Sequence, residues 1–142
     1  MIIFLDTSSL FKLYHKETGT AELEKIFSTA IITTIYLAEI TKIEFTSTIW
    51  KKVRTKEISE LEAHSTLDLF EVDFAKYSFI ATDSIIIEQA RILTAKYGIQ
   101  GLRTLDSIQL STAISLSQRA DMFFTADNLL RSFFEAEGLR ID

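Results

Sequence analysis

Four acidic residues along the chain could together bind a divalent cation: Asp6, Glu44, Asp106 and Asp127. Asp6 follows the apolar run 2–5, Asp127 follows the largely apolar run 122–126, and a helix is predicted after each of them. Asp106 opens a third predicted helix. In a parallel sheet, the strand ends that lead into helices lie at one edge, where ligands bind. The sequence therefore predicts that these carboxylates gather at that edge and hold a cation.

Such a set of carboxylates indicates metal-assisted phosphodiester hydrolysis. Mg²⁺ and Mn²⁺ prefer oxygen ligands, and Mg²⁺ usually takes one or two carboxylates while keeping several waters. One or two ions held by three or four acids can lower the pKa of a bound water and stabilise the leaving oxygen in an in-line attack on phosphorus. This chemistry requires no catalytic His, Cys or Ser. The two histidines, His15 and His64, do not have the spacing of metal ligands.

Each acid also has an ordinary structural explanation. Taken singly, Asp106 or Asp127 is better explained as a helix N-cap. Glu44 is placed in the middle of a predicted helix, and Glu39 is an alternative to it. The two glutamates are five residues apart, which is about 140° around a helix, so they cannot both face one site. The pattern alone does not choose between them.

The composition is that of one domain, residues 1–142, able to bury a core. The chain has 142 residues, 47% of them hydrophobic and 25% charged. No apolar run reaches 18 residues and the N-terminal apolar stretch has only four, so we expect neither a membrane span nor a signal peptide, and a soluble cytoplasmic protein. The absence of cysteine excludes disulfides, thiolate metal sites and cysteine nucleophiles.

The net charge of −5 argues against a protein that binds nucleic acid through overall positive charge. It does not exclude a nuclease, because a local basic patch can still hold the backbone of a substrate. The candidate patch comprises Lys51, Lys52, Arg54 and Lys56, with Arg103 further on. The alternative is that these residues form a solvated helix end whose cations suit the helix dipole.

The order of apolar runs and helix-like segments is typical of βαβ units around a parallel sheet, which is the α/β class. Predicted strands occupy residues 2–5, 30–33, 77–81 and 122–125, with a final edge strand at 139–141. Predicted helices occupy residues 7–14, 20–28, 36–54, 59–76, 82–97, 105–116 and 127–137.

Four stretches of the sequence resemble the successive motifs of the PIN-domain family: residues 3–10, 41–47, 102–110 and 124–127. The resemblance is closest to the VapC-like toxin ribonucleases of type II toxin-antitoxin pairs. It covers nearly the whole chain in the order that the family uses. One motif alone, such as Asp-Thr-Ser or Thr-Ala-Asp, would be weak, but four in register are strong.

The resemblance implies which residues form the site. Its metal-binding acids fall on Asp6, Glu44, Asp106 and Asp127, and Glu44 is preferred to Glu39 because the motif continues as Glu-Phe-Thr-Ser. The fourth acid is often weaker or replaced in the family, so the resemblance assigns Asp127 to the metal site less firmly than the other three acids. Ser107 and Ser111 depart from the alanines common in the family. Hydroxyls or backbone groups near the metal are implied at Thr7 or Ser8, and at Thr125.

The resemblance also implies an activity and a fold. The implied activity is that of a Mg²⁺- or Mn²⁺-dependent endoribonuclease. The implied fold has three layers, α/β/α, around a central parallel sheet. Family members are usually homodimers, and a cognate antitoxin protein usually holds them inactive. RNA would be the substrate.

Two other functions compete with this interpretation. A phospho-receiver domain also binds Mg²⁺ at strand ends, but it needs a Lys at a late strand end, and no Lys follows residues 122–126. A non-catalytic binding module could use Leu10, Phe11, Leu13 and Tyr14 as a dimer face or an antitoxin groove. Core packing explains these four residues more simply. Stabilisation by Mn²⁺ separates a metal site from a pure binding module.

Overall fold

Strands and helices alternate along the chain. The computed structural model describes residues 1–17 and 19–141. In these residues the strands are β1 (Ile2–Leu5), β2 (Thr34–Ala38), β3 (Tyr77–Ile80) and β4 (Met122–Phe124). The α-helices are α1 (Thr7–Tyr14), α2 (Thr20–Thr29), α3 (Thr41–Arg54), α4 (Glu60–Asp73), α5 (Ser84–Tyr97), α6 (Thr104–Ser115) and α7 (Asn128–Ala136). Short 3₁₀ turns follow α4 at Phe74–Lys76 and α5 at Gly98–Gln100.

The strands form one parallel sheet in the order β3-β2-β1-β4. The central strand β1 places Phe4 beside Tyr36 of β2 and beside Phe123 of β4. Because all the strands run the same way, their carboxyl ends lie at one edge of the sheet. The predicted α/β class with a central parallel sheet is confirmed.

Strand β1 sends alternate side chains into two separate cores. Ile3 and Leu5 pack with α1, α3 and α4 on one face, while Phe4 packs with α5, α6 and α7 on the other. All three side chains are fully buried, which stabilises the fold by about 1.5–3 kcal/mol for each of them. Burial on both faces explains why this strand is a continuous apolar run, and it produces the predicted three layers.

Helix α1 follows β1 directly and belongs to the first of these cores. Leu10 and Phe11 are buried in it, and Leu13 and Tyr14 pack against it. Core packing therefore accounts for Leu10 and Phe11. Leu13 and Tyr14 are only partly buried, and for them a dimer face or an antitoxin groove stays a prediction. In the part of the chain that the structure describes, no helix is long and apolar enough to cross a membrane.

The second strand and the third helix differ from the sequence prediction. We expected a strand at residues 30–33 and a helix over 36–54, but β2 occupies Thr34–Ala38 and α3 begins at Thr41. The stretch Thr34–Ala38 contains β-branched and aromatic residues, and as a strand it pairs on both sides, with β1 and β3. These tertiary hydrogen bonds override the helical pattern. As a consequence, Glu44 lies in the first turn of α3 and not in the middle of a helix.

The predicted edge strand at residues 139–141 is also wrong. This segment has no strand assignment, although the N–H of Phe123 donates to the carbonyl of Arg140 at 2.8 Å. Leu139 is buried in the second core. The buried Leu139 side chain and this hydrogen bond to β4 hold the segment beside the sheet. The segment does not add a strand to the sheet.

Candidate active site

The four acids line one cleft of about 300 Å³ at the carboxyl edge of the sheet. Asp6 follows β1, and Asp127 follows β4, the neighbouring strand. Asp106 follows no strand: it is the third residue of α6, which comes after α5 and its 3₁₀ turn. A larger cavity, of about 470 Å³, lies beside α2 and α7, but Glu22 is its single acidic lining residue among the described ones. The 300 Å³ cleft is therefore the candidate site.

Asp6 is held at the start of α1 by hydroxyl and amide donors. It is the N-cap, and one carboxylate oxygen, Oδ1, accepts from the N–H and the hydroxyl of Ser9, both at 2.9 Å. The other oxygen, Oδ2, accepts from the hydroxyls of Thr125 at 2.6 Å and Ser8 at 2.8 Å. Burial raises the pKa of Asp6, and these hydrogen bonds lower it by a smaller amount. Asp6 is 3% exposed, so it is a buried acid in a fixed orientation.

Glu44 enters the cleft from the first turn of α3. Its Oε1 accepts hydrogen bonds from the hydroxyl of Thr7 at 2.9 Å and from the side-chain amide of Gln109 at 2.7 Å. Burial is the main reason that the pKa of Glu44 is raised; the two hydrogen bonds oppose it, and the negative charges of Asp6 and Asp106 add to it. Glu44 lines the same cleft as Asp6 and Asp106.

Asp106 and Asp127 form the other side of the cleft. Asp106 is the third residue of α6, and its pKa is raised by burial and by the charge of Asp127, while Arg103 lowers it. Asp127 is exposed and is the N-cap of α7, where it accepts from the N–H of Leu130 at 2.8 Å. Asp127 therefore contributes its charge at the open rim of the cleft.

The hydroxyls implied by the resemblance contact these acids. Thr7 bonds to Glu44, Ser8 bonds to Asp6, and Thr125 bonds to Asp6 while it accepts the N–H of Asp127 at 3.1 Å. These hydroxyls orient the carboxylates of Asp6 and Glu44. They also give the buried carboxylate oxygens hydrogen-bond partners that those oxygens would otherwise lack.

Glu39, the alternative to Glu44, does not line the cleft. It lies in the turn after β2, donates its backbone N–H to Ile80 and pairs with Lys42 at 3.1 Å. The helical-rotation argument does not apply, because Glu39 precedes the helix. Geometry and the resemblance nevertheless favour the same residue, Glu44.

The donor set of the cleft fits a hard divalent cation. All four acids supply oxygen, and three of them have raised pKa values from burial and, for Glu44 and Asp106, from neighbouring negative charge. Among residues 1–17 and 19–141, no three acidic or histidine side chains are already close enough to hold an ion. Mg²⁺ usually retains several water ligands, so these waters could complete a coordination shell that the carboxylates fill only in part.

Gln109 and Lys52 also line the cleft, as do Phe11, Glu17 and Thr48. Gln109 of α6 follows Asp106 by three residues, a spacing that places both on one helix face. Lys52 of α3 follows Glu44 by eight residues, also on one face, and it is the member of the predicted basic patch that reaches the cleft. Sequence reasoning missed Gln109, although its spacing from Asp106 was a usable signal.

The sequence profile of the PIN domain matches residues 3–133. No curated protein matches the sequence.

Solved structures with the same fold include toxins and toxin complexes. Mycobacterium tuberculosis VapC20, a sarcin-ricin loop cleaving toxin, is similar with a TM-score of 0.71 and 12% identity, over 96% of this chain and 95% of that chain. VapBC2 from Rickettsia felis, bound to a DNA fragment from its promoter, has a TM-score of 0.65 and 18% identity, over 100% and 98%. DNA-bound VapBC from Salmonella typhimurium has a TM-score of 0.60 and 16% identity, over 100% and 97%. At these identities the likeness shows a shared fold.

Proposed function

This chain belongs to the PIN domain family, and we propose from that membership and from its acidic cleft that it is a Mg²⁺- or Mn²⁺-dependent endoribonuclease. One observation supports the proposal above the others: Asp6, Glu44, Asp106 and Asp127, which are far apart in sequence, line a single cleft. The family match alone would not identify which side chains act. The clustering of these acids supports their assignment to that role.

In this proposal each acid has a defined task. Asp6, Glu44 and Asp106 hold the cation, and Asp127 completes the site from the rim. Bound Mg²⁺ or Mn²⁺ supplies Lewis acidity at the phosphate and makes a coordinated water more acidic. Thr7 holds the Glu44 carboxylate, and Ser8 and Thr125 hold that of Asp6, in fixed orientations.

Lys52 is the group that we assign to the RNA backbone. Its side chain is 17% exposed, pairs with Glu57 at 3.3 Å and lies over the ring of Phe11 at 5.3 Å from the centroid. Eight residues of helix separate it from Glu44, a rise of about 12 Å. A cation that lines the same cleft as the acids can contact a phosphate beside the one that is cut, which offsets the repulsion between RNA and an acidic cleft.

The proposal extends to biological context. The same fold in toxin-antitoxin complexes supports the role of a toxin that a cognate antitoxin protein inhibits. Several large apolar side chains on and beside α5 are exposed, including Ile85, Ile92 and Ile99, which supports a homodimer. We place the activity in the cytoplasm, where RNA and the antitoxin are available.

The competing phospho-receiver function has no support in the cleft. Such a domain needs a lysine at the end of a late strand, close to the acceptor aspartate. Asp127 is exposed, but Thr125 and Ala126 connect it to β4, and no Lys lies at that strand end.

Cleavage of a mixed RNA pool tests the proposal. Purified protein is incubated with Mg²⁺, Mn²⁺ or a chelator, and the new RNA ends are mapped. We expect endonucleolytic cuts with either metal and none with the chelator. Cleavage that is equally fast in the chelator, or no cleavage of any RNA in the pool, would reject the assignment.

A further inference from the structure

Gln109 occupies the floor of the cleft between the helices that supply the acids. It is 2% exposed and lies on α6, one turn after Asp106. Glutamine is mostly a surface residue, and a buried glutamine must have its polar atoms satisfied. The position therefore calls for an explanation in terms of its contacts.

The amide nitrogen of Gln109 joins three helices. It donates to Oε1 of Glu44 at 2.7 Å and lies 3.0 Å from the hydroxyl of Thr41 and 3.1 Å from that of Thr7. Thr7 itself donates to the same Glu44 oxygen at 2.9 Å. A single side chain on α6 thus fixes a carboxylate on α3 with the help of a hydroxyl on α1.

The chemistry of Glu44 determines which end of the amide faces it. An ionised carboxylate can only accept hydrogen bonds, so the NH₂ group and not the oxygen must point toward it. The amide oxygen of Gln109 is then buried without a hydrogen-bond partner among the described residues. A buried unpaired oxygen is unfavourable. An apolar side chain of similar size would fill this space without that cost, so packing alone does not account for glutamine here.

The Glu44 carboxylate is consequently held at one oxygen. Oε1 accepts two hydrogen bonds, whereas Oε2 makes none to any described residue. Asp106, on the same helix as Gln109, lines the same cleft. The arrangement leaves Oε2 free to face a cation.

We propose that Gln109 is a positioning residue, which clamps Oε1 of Glu44 so that Oε2 is presented to the divalent cation beside Asp106. This inference rests on the proposed metal-dependent function. It predicts that Gln109 acts on metal affinity through Glu44 and has no contact with the RNA.

Mn²⁺ titration of variants tests this role. Gln109→Met keeps the size of the side chain and removes its hydrogen bonds, and Gln118→Met makes the same change at an exposed position. Calorimetry should show Mn²⁺ affinity weakened by about 10- to 100-fold in Gln109→Met and unchanged in Gln118→Met. In a Glu44→Gln background, the additional Gln109→Met change should have little further effect, because the two residues act as one unit.

Several outcomes would overturn the inference. These are wild-type Mn²⁺ affinity in a folded Gln109→Met protein, or an undiminished effect of that change in the Glu44→Gln background. If wild type itself binds no Mn²⁺, the proposed function fails together with this inference, whereas a metal-binding wild type with an unaffected Gln109→Met variant rejects this inference alone.

A second measurement does not require the Gln109→Met variant. In wild type, the side-chain amide resonances of Gln109 should shift in NMR spectra when Mg²⁺ is added, and this shift should be absent in Glu44→Gln. Side-chain resonances that do not respond to saturating Mg²⁺ would contradict the clamp.

Discussion

Thr125, just after β4, donates a 2.6 Å hydrogen bond to the buried carboxylate of Asp6, just after β1. The bond forms because β1 and β4 are neighbours in a register that pairs Leu5 with Phe124. Residues 119 positions apart therefore lie side by side. This hydroxyl is the first among the groups that oppose the effect of burial on the pKa of Asp6.

Replacement of Thr125 by valine removes this donor at nearly constant volume. We expect the free energy of unfolding to fall by about 1–3 kcal/mol at neutral pH, because a buried carboxyl group loses a hydrogen bond. Thr125→Ser keeps the hydroxyl and serves as the control. Urea unfolding of both variants measures the effect. Equal stability of the valine and serine variants would show that the hydroxyl is not required.

The choice between Glu44 and Glu39 leads to a paired prediction. Glu44→Gln should reduce metal-dependent RNA cleavage by about 10²–10³-fold, because several kcal/mol of charge stabilisation are lost. Glu39→Gln should cleave as wild type does, since Glu39 faces Lys42 outside the cleft. Single-turnover rates at saturating Mn²⁺ provide the comparison. The reverse ranking of the two variants would place the site elsewhere.

Lys52 is predicted to act on substrate binding. Lys52→Met should raise the KM for RNA and reduce the slope of log affinity against log salt by about one, because one phosphate contact is lost. Lys51→Met is the matched control, since Lys51 is exposed and does not line the cleft. Binding of a short RNA by wild type and both variants over a range of salt measures the slope. Identical slopes for the two variants would show that Lys52 does not touch the backbone.

Metal-free stability should depend on pH through the acidic cleft. Burial raises the pKa values of Asp6, Glu44 and Asp106 in the folded state above the usual value of about 4. The folded protein therefore binds protons more tightly than the unfolded chain, and this contribution lowers stability as pH rises from about 4 through the raised pKa values. Above them the penalty is complete.

The contribution of Glu44 can be isolated by difference. With chelator present, Glu44→Gln should lose less stability than wild type as pH rises through that window, because it cannot acquire the unfavourable charge. Mn²⁺ should stabilise wild type most at the upper end of the window, where the acids are ionised. Urea unfolding at a series of pH values gives both results. Parallel stability curves for the two proteins would exclude an electrostatic penalty at Glu44.

Local rules were enough to predict part of this site. Asp6 and Asp127 cap helices that follow strands. The short stretches around them contain both the apolar run that predicts the strand and the capping residue that predicts the helix start. Strand β2 could not be placed in this way, because Tyr36 and Leu37 suit a helix or a strand and only pairing with β1 and β3 decides between them. The contact between Gln109 and Glu44 spans 65 residues and depends on how α3 and α6 pack, which no local pattern specifies.

RNA cleavage by Asp6→Asn is the most direct test of the central claim that the buried acids form a metal-dependent active site. The variant keeps the size of the side chain, so the fold should survive, as circular dichroism can establish. Asp68→Asn, at an exposed position of α4, is the control. We predict that Asp6→Asn cleaves at least about 100-fold more slowly than wild type at matched Mn²⁺, while Asp68→Asn cleaves normally. A folded Asp6→Asn protein that cuts RNA at the wild-type rate would contradict the account.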